Sequence, residues 1–129
     1  MTQNEKRIFL IEELLSELPQ YKDMQIPENP IEQKRLLRSL MNIRPPRPIS
    51  DKFLKVQDEY LSEEVRTKGI TDSDALPASP LNDRLVLWRG DITTLKADAI
   101  VNAANSALRG CFVPCHGCVD NIIHSVSGI

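Results

Sequence analysis

Cysteine and histidine are absent from the first 110 residues of this 129-residue chain. All three cysteines and both histidines fall in one segment near its end, GCFVPCHGCVDNIIH, which runs from Gly110 to His124. An odd number of cysteines crowded into one segment is not the framework of a disulfide-stapled secreted domain. The composition therefore predicts a reducing, cytoplasmic compartment, and it gathers every soft metal ligand of the chain into one short loop.

Long apolar runs and a strong excess of one charge are missing as well. No run approaches the roughly 20 apolar residues that span a bilayer, and the amphipathic N-terminus MTQNEKRIFLIEELLSELPQ lacks the apolar core of a signal peptide. The 16 basic and 18 acidic residues leave a net charge of −2, which is not the basic footprint of a nucleic-acid-binding protein. We therefore expect a soluble globular chain with no membrane and no nucleic acid among its partners.

The pattern of residues 1–80 predicts a helical N-terminal region that ends in a linker. Apolar residues recur at helical spacing in three stretches, which predict helices over 4–18, 30–43 and 51–68. Each stretch has a local start signal, namely Thr2 with Glu5, Asn29 with Pro30, and Ser50. The apolar stripes are most simply explained as core or helix–helix contacts. The polar segment TDSDALPASPLND then predicts a linker.

From Leu81 the pattern changes to that of an α/β region over residues 81–129. Two short β-prone runs, RLVLW and DAIVNAAN, are bounded by turn residues and predict buried strands. After the cysteine segment, VDNIIHSVSG predicts a helix with one apolar face. This order is the start of a doubly wound α/β fold, in which ligands bind beyond the carboxyl ends of the strands. GDIT and NAANSALRG are both expected there.

Cys111, His116 and Cys118 are candidate metal ligands by residue type and spacing. Thiolates and imidazole are ligands that zinc prefers, and three protein ligands leave a fourth position open for water or substrate. Cys115 leaves alternatives open, because it can serve as a fourth ligand or replace one of the three. We favour an open site without Cys115. A closed site would indicate a zinc-stapled interaction module, and the remaining alternative is a set of free thiols in a mobile loop.

The same region resembles the opening of a macrodomain, a module that binds ADP-ribose. The resemblance covers about Leu85–Ile129 and is carried by GDIT at 90–93, VNAAN at 101–105, and VD at 119–120 with His124. Where that family has a glycine run, this chain has GCFVPCHGC, which resembles the zinc-containing branch that acts as protein ADP-ribosyl hydrolases. The resemblance implies a three-layer α/β/α macrodomain preceded by a helical extension.

The resemblance also implies roles for individual residues. The Asp91 carboxylate would accept the adenine amino group while the Ile92 backbone contacts the ring, although Asp91 is equally explained as a turn or cap residue. Asn105 would bind ribose hydroxyls. Asp120 would face the pyrophosphate and proximal ribose and orient or deprotonate a water, although it is also suited to the first turn of a helix. Cys118 is placed with these substrate-binding residues, and Asp120 and Asn105 are the expected catalytic pair.

Together these expectations describe a zinc-dependent hydrolase that removes ADP-ribose from ADP-ribosylated protein, with a non-catalytic ADP-ribose-binding module as the alternative. His124 is expected to be a packed structural histidine. The family context implies a sirtuin-type ADP-ribosyltransferase and a lipoyl carrier protein as partners. A macrodomain also has a glycine-rich phosphate loop in its second half, which this sequence does not contain. We therefore expect the chain to be the N-terminal part of a longer protein and to be inactive alone.

Overall fold

The computed structural model describes all residues, 1–129. It is a mixed α/β structure whose only sheet is a short parallel pair of strands. The helices are α1 (Gln3–Ser16), α2 (Pro30–Ile43), α3 (Asp51–Lys68) and α4 (Val119–Ser127), and the strands are β1 (Thr71–Asp72) and β2 (Leu95–Lys96). Single 3-10 turns lie at Pro19–Tyr21, Ser73–Ala75 and Ile92–Thr94. None of the helices has the length and apolar character needed to cross a membrane.

The first three helices begin where the local sequence signals predict. Thr2 accepts the Glu5 backbone N–H at 3.2 Å, and the Glu5 carboxylate accepts the Thr2 N–H at 2.7 Å, which completes the capping box of α1. Asn29 and Ser50 likewise accept N–H groups from the first turns of α2 and α3. Gly69 ends α3 with φ 88°, a conformation that glycine adopts without a Cβ clash. The predicted bounds of α2 and α3 are confirmed, and α1 begins one residue early and ends at Ser16.

The hydrophobic core lies between α1, α2 and α3. Helix α1 packs against both α2 and α3, and each of the three helices contributes apolar residues spaced three and four apart, as expected for amphipathic helices. Ten residues form this cluster: Leu10, Ile11, Leu14, Leu15, Leu37, Leu40, Met41, Phe53, Val56 and Tyr60. Burying one such side chain contributes about 1.5–3 kcal/mol. All ten core residues thus belong to α1, α2 and α3, and Ile129 at the end of the chain packs against their cluster.

Helix α4 docks beside this core, against α2 and α3. The 3-10 turn at Ile92–Thr94 packs against both α3 and α4. Beyond α4, the Ile129 N–H donates to Gln57 Oε1 of α3 at 2.9 Å. Since α4 directly follows the cysteine segment, this docking brings residues 111–118 next to α2.

The two predicted buried strands are wrong for this structure. RLVLW and DAIVNAAN have no regular secondary structure, and Leu87 and Val101 expose 93% and 87% of their surface. The pairing instead joins Thr71 with Leu95 and Asp72 with Lys96, so β1 lies inside the segment predicted as a linker. A β-prone run becomes a strand only when other segments pair with it and cover it, and no segment of residues 1–129 pairs with either run.

Candidate metal centre

The structure brings Cys111, His116 and Cys118 together. Their ligand atoms all lie within 4.8 Å of one another, and Cys111 Sγ is 3.5 Å from His116 Nδ1. Donors bound at about 2.0–2.3 Å to a tetrahedral zinc ion lie roughly 3.5 Å apart. The three donors therefore fit one ion with small side-chain adjustments, and both their chemistry and their number suit an open zinc site.

Cys118 occupies a special position, because it is the N-cap of α4. Its Sγ accepts the Asn121 backbone N–H at 3.4 Å. The start of a helix carries a partial positive charge, which favours an anion. The N-cap position therefore fixes Cys118 Sγ at the first turn of α4, next to the loop that carries the other two donors.

Cys115 lies away from the other three donors. Its Sγ is 3.2 Å from Ser39 Oγ and 3.4 Å from the Arg35 carbonyl oxygen, both on α2. Its backbone N–H donates to Asn42 Oδ1 at 3.0 Å, and its φ of 52° is in the left-handed region that non-glycine residues rarely adopt. The chain reverses at Cys115, so its thiol faces α2 while its neighbour His116 faces Cys111.

Asp120 is buried in the first turn of α4, with 3% of its surface exposed. Its Oδ1 accepts from Asn102 Nδ2 at 2.8 Å and lies 3.2 Å from His124 Nε2. The other amide atom of Asn102, Oδ1, is buried without a partner. Asp120 therefore ties the 101–105 segment to α4. His124 is about half exposed and is held by this contact rather than by burial.

Asn105 is exposed and shapes the turn that leads into Cys111. Its Nδ2 donates to the Gly110 carbonyl oxygen at 3.0 Å, and its Oδ1 accepts the Ala107 N–H at 3.0 Å. Both ends of the amide are therefore occupied within its own loop. Asp120, its expected catalytic partner, bonds Asn102 and His124 instead.

Asp91 caps the 3-10 turn at Ile92–Thr94. Its Oδ1 accepts the Thr93 N–H at 3.0 Å and the Thr93 hydroxyl at 2.7 Å, and its Oδ2 is 3.3 Å from Lys68 Nζ. These hydrogen bonds, first from Thr93 and then from Lys68, hold the pKa of Asp91 below its ordinary value. Ile92 is half-buried in the turn. In this structure Asp91 thus has the cap role that was its alternative explanation.

A cavity of about 790 Å³ lies between residues 44–48, which follow α2, and residues 109–112, at the start of the cysteine segment. Cys111 and His124 line it, whereas the other candidate site residues do not. The sequence analysis gave no role to the polar residues of α2. The available signal was the spacing of Arg38, Ser39 and Asn42, which share one face of a helix.

Comparison with known proteins gives the following relatives. A protein of Treponema medium named protein-ADP-ribose hydrolase is 57% identical over 131 aligned positions, which cover all of this chain and 50% of that relative. A Staphylococcus aureus (strain COL) protein of the same name is 50% identical over 95 positions, which cover 73% of this chain and 35% of the relative. The chain therefore spans half the length, or less, of these relatives. No protein-family profile matches the sequence.

Proposed function

We propose that the protein to which this chain belongs hydrolyses the bond between ADP-ribose and a modified protein, with a zinc ion at Cys111, His116 and Cys118. The observation that carries the proposal is the 57% identity to a protein-ADP-ribose hydrolase over the whole chain. The cluster of two thiols and one imidazole within 4.8 Å supports the metal. We further propose that residues 81–129 belong to the three-layer macrodomain fold and that residues 1–80 form its helical extension.

The three proposed ligands leave the fourth position of a tetrahedral site for an oxygen of water or substrate. A zinc ion held by these three residues would supply a Lewis acid for an oxygen of water or substrate. The chain's contribution is to present the three donors from one loop, with Cys118 at the positive end of α4. Cys115 is assigned no ligand role, because its thiol contacts α2.

The remaining site residues are proposed to bind and orient the substrate. Asp91 and Ile92 would bind the adenine end, and Asn105 the ribose hydroxyls. Asp120 would place the attacking water beside the proximal ribose. Its buried carboxylate, two residues after Cys118, supports this proposal because a fixed acceptor can orient water. Binding would require the Lys68 contact of Asp91 and the internal contacts of Asn105 to be exchanged for contacts with the ligand.

The resemblance supplies the proposed partners and location. A sirtuin-type ADP-ribosyltransferase and a lipoyl carrier protein are the proposed partners, and the proposed compartment is the cytoplasm.

The test measures zinc content and the release of ADP-ribose from an ADP-ribosylated protein, using the full-length protein. Cys118→Ala removes a proposed ligand, and Cys115→Ala is the matched control because it removes a neighbouring thiol that faces α2. We expect Cys118→Ala to lose both zinc and turnover, and Cys115→Ala to keep both. Full turnover by zinc-free Cys118→Ala would refute the role of the metal, and no release by the zinc-loaded wild type would refute the activity.

A further inference from the structure

One face of α2 lies against the loop that carries the three proposed ligands. Its side chains are polar, whereas the face of α2 that joins the core contributes Leu37, Leu40 and Met41. Arg38, Ser39 and Asn42 are spaced as neighbours on one helix face, and all three make hydrogen bonds to residues 115–125. These contacts join parts of the chain that are more than 70 positions apart.

Arg38 makes the most direct contact with a ligand residue. Its Nη2 donates to the His116 carbonyl oxygen at 2.8 Å and to Asn121 Oδ1 at 2.6 Å, and its Nε donates to Ser125 Oγ at 3.1 Å. The planar guanidinium therefore spans the loop and the second turn of α4. A lysine ammonium at this position has no such fork of donors.

Asn121 extends the connection from Arg38 to the two cysteine ligands. It is fully buried, and its Nδ2 donates to the carbonyl oxygens of Cys111 at 3.1 Å and Val113 at 3.0 Å. Its backbone N–H is directed at Cys118 Sγ at 3.4 Å. Arg38 thus fixes the backbone of His116 directly. By orienting the Asn121 amide, it also fixes the backbone of Cys111 and Val113, whose carbonyl oxygens accept from that amide.

Asn42 holds the chain reversal between the ligands. Its side chain is buried, its Oδ1 accepts the Cys115 N–H at 3.0 Å, and its Nδ2 donates to Ser125 Oγ at 3.0 Å. Cys115 is in the left-handed conformation, which has an energetic cost for a non-glycine residue. The contacts to α2 offset this cost, and the reversal turns His116 toward Cys111.

We propose that Arg38 and Asn42 are positioning residues of the metal centre, so that helix α2 of the N-terminal region is a structural part of the site. Neither residue offers a ligand atom. They hold the backbone of residues 111–118 in the conformation in which three donors converge, so the entropy of ordering this loop is not lost when the metal binds. The inference rests on the metal site proposed above and extends it to a second region of the chain.

The experiment titrates the 129-residue chain with cobalt and then with zinc in competition. Cobalt absorption reports both affinity and coordination geometry. The variants are Arg38→Ala, Arg38→Lys and Asn42→Ala, and the control is Arg35→Ala, whose exposed side chain lies one turn away on the same helix and makes no hydrogen bond. Loss of an outer-shell partner commonly weakens metal affinity by about 10- to 100-fold. We expect losses of this size for Arg38→Ala and Asn42→Ala, a smaller loss for Arg38→Lys, and wild-type affinity for Arg35→Ala.

The cobalt spectrum at saturation separates positioning from general stability. A residue that only stabilises the fold would leave this spectrum unchanged, whereas a positioning residue changes it, and Arg38→Lys keeps the charge and bulk that the fold requires. Affinities and saturated spectra equal to those of Arg35→Ala would overturn the inference while the metal site stands. A wild-type chain that binds neither metal would overturn the metal site and the inference together.

Discussion

Asp91 shows how a residue expected to bind a ligand is engaged before any ligand arrives. Its two carboxylate oxygens are shared between Thr93 and Lys68. The Lys68 pair is exposed, and such pairs contribute about 0–1 kcal/mol, so an incoming donor can displace it at small cost. We predict that Asp91→Ala in the full-length protein weakens ADP-ribose binding by about 1.5–3 kcal/mol, the range for a hydrogen bond to a charged group. Calorimetric titration measures this change.

Lys68→Ala is the matched control for that prediction, because it removes the same ion pair and leaves the carboxylate in place. We expect Lys68→Ala to bind ADP-ribose at least as tightly as the wild type, since Asp91 then needs no exchange of partners. If both variants weakened ADP-ribose binding equally, the loss would come from the ion pair and its effect on the shape of the turn. Asp91 would then lose its proposed role as an acceptor for the ligand.

Gly110 is a second residue whose conformation restricts what can replace it. Its φ is 87°, and a Cβ added there would lie 3.1 Å from the His124 ring. We predict that Gly110→Ala lowers the free energy of unfolding by about 1–3 kcal/mol, because alanine is strained in this region. Urea denaturation provides the measurement. Gly117→Ala is the control, because its Cβ would meet nothing within 4 Å, and an equal loss there would contradict the explanation.

Between elements, the ends of α1 and α2 are joined by an ion pair. Arg44 Nε and Nη2 donate to the two carboxylate oxygens of Glu17 at 2.7 and 2.9 Å, and the Arg44 side chain is 6% exposed. The Arg44 hydrogen bonds lower the pKa of Glu17 from its ordinary value. The stability that follows from this shift is fully present above the ordinary glutamate pKa, and it is lost as the pH falls through the lowered one.

We therefore predict that Glu17→Gln lowers the free energy of unfolding by about 1–2 kcal/mol at neutral pH, since the hydrogen bonds lose their charge. The difference from the wild type should shrink in strong acid, where Glu17 is itself protonated. Urea denaturation at both pH values tests this, with Glu63→Gln as the control because its partner Arg66 is largely exposed. A difference that does not change with pH would exclude the carboxylate charge as the cause.

The elements also show why part of the fold was predictable from the sequence and part was not. Helix starts at Thr2, Asn29 and Ser50 depend on side chains within three residues, so their signals are complete in the local sequence. The runs RLVLW and DAIVNAAN have strand propensity, but a strand depends on partners elsewhere, which a single segment does not encode. The convergence of Cys111, His116 and Cys118 followed from short spacing. The contribution of α2 did not, since Arg38 meets His116 only after α4 has docked.

At the scale of the whole molecule, contacts cross the boundary predicted at residue 80. β1 pairs with β2 across the predicted boundary at residue 80, and α2 contacts the cysteine loop. The apolar side chains that remain exposed are concentrated after that boundary, with Leu81, Leu87 and Val101 among the most exposed. The N-terminal helices therefore contain the buried apolar cluster, whereas the strand-like segments of the second region remain mostly exposed.

This difference between the regions leads to a prediction about activity. We expect the 129 residues alone to bind zinc but to release no ADP-ribose. The exposed segments include VNAAN, whose Asn105 is proposed to bind the ribose, and loss of positioning costs several kcal/mol of barrier. We expect a chimera, in which these residues replace the matching half of the Treponema medium relative, to be active. Release assays on both proteins, with Cys118→Ala in the chimera as the inactive control, provide the test. Turnover by the 129 residues alone would show that catalysis does not require the exposed segments to pack against other residues. If the chimera folds and binds zinc but is inactive, sequence differences between these 129 residues and the matching half of the relative limit catalysis, and the exposure of the segments does not.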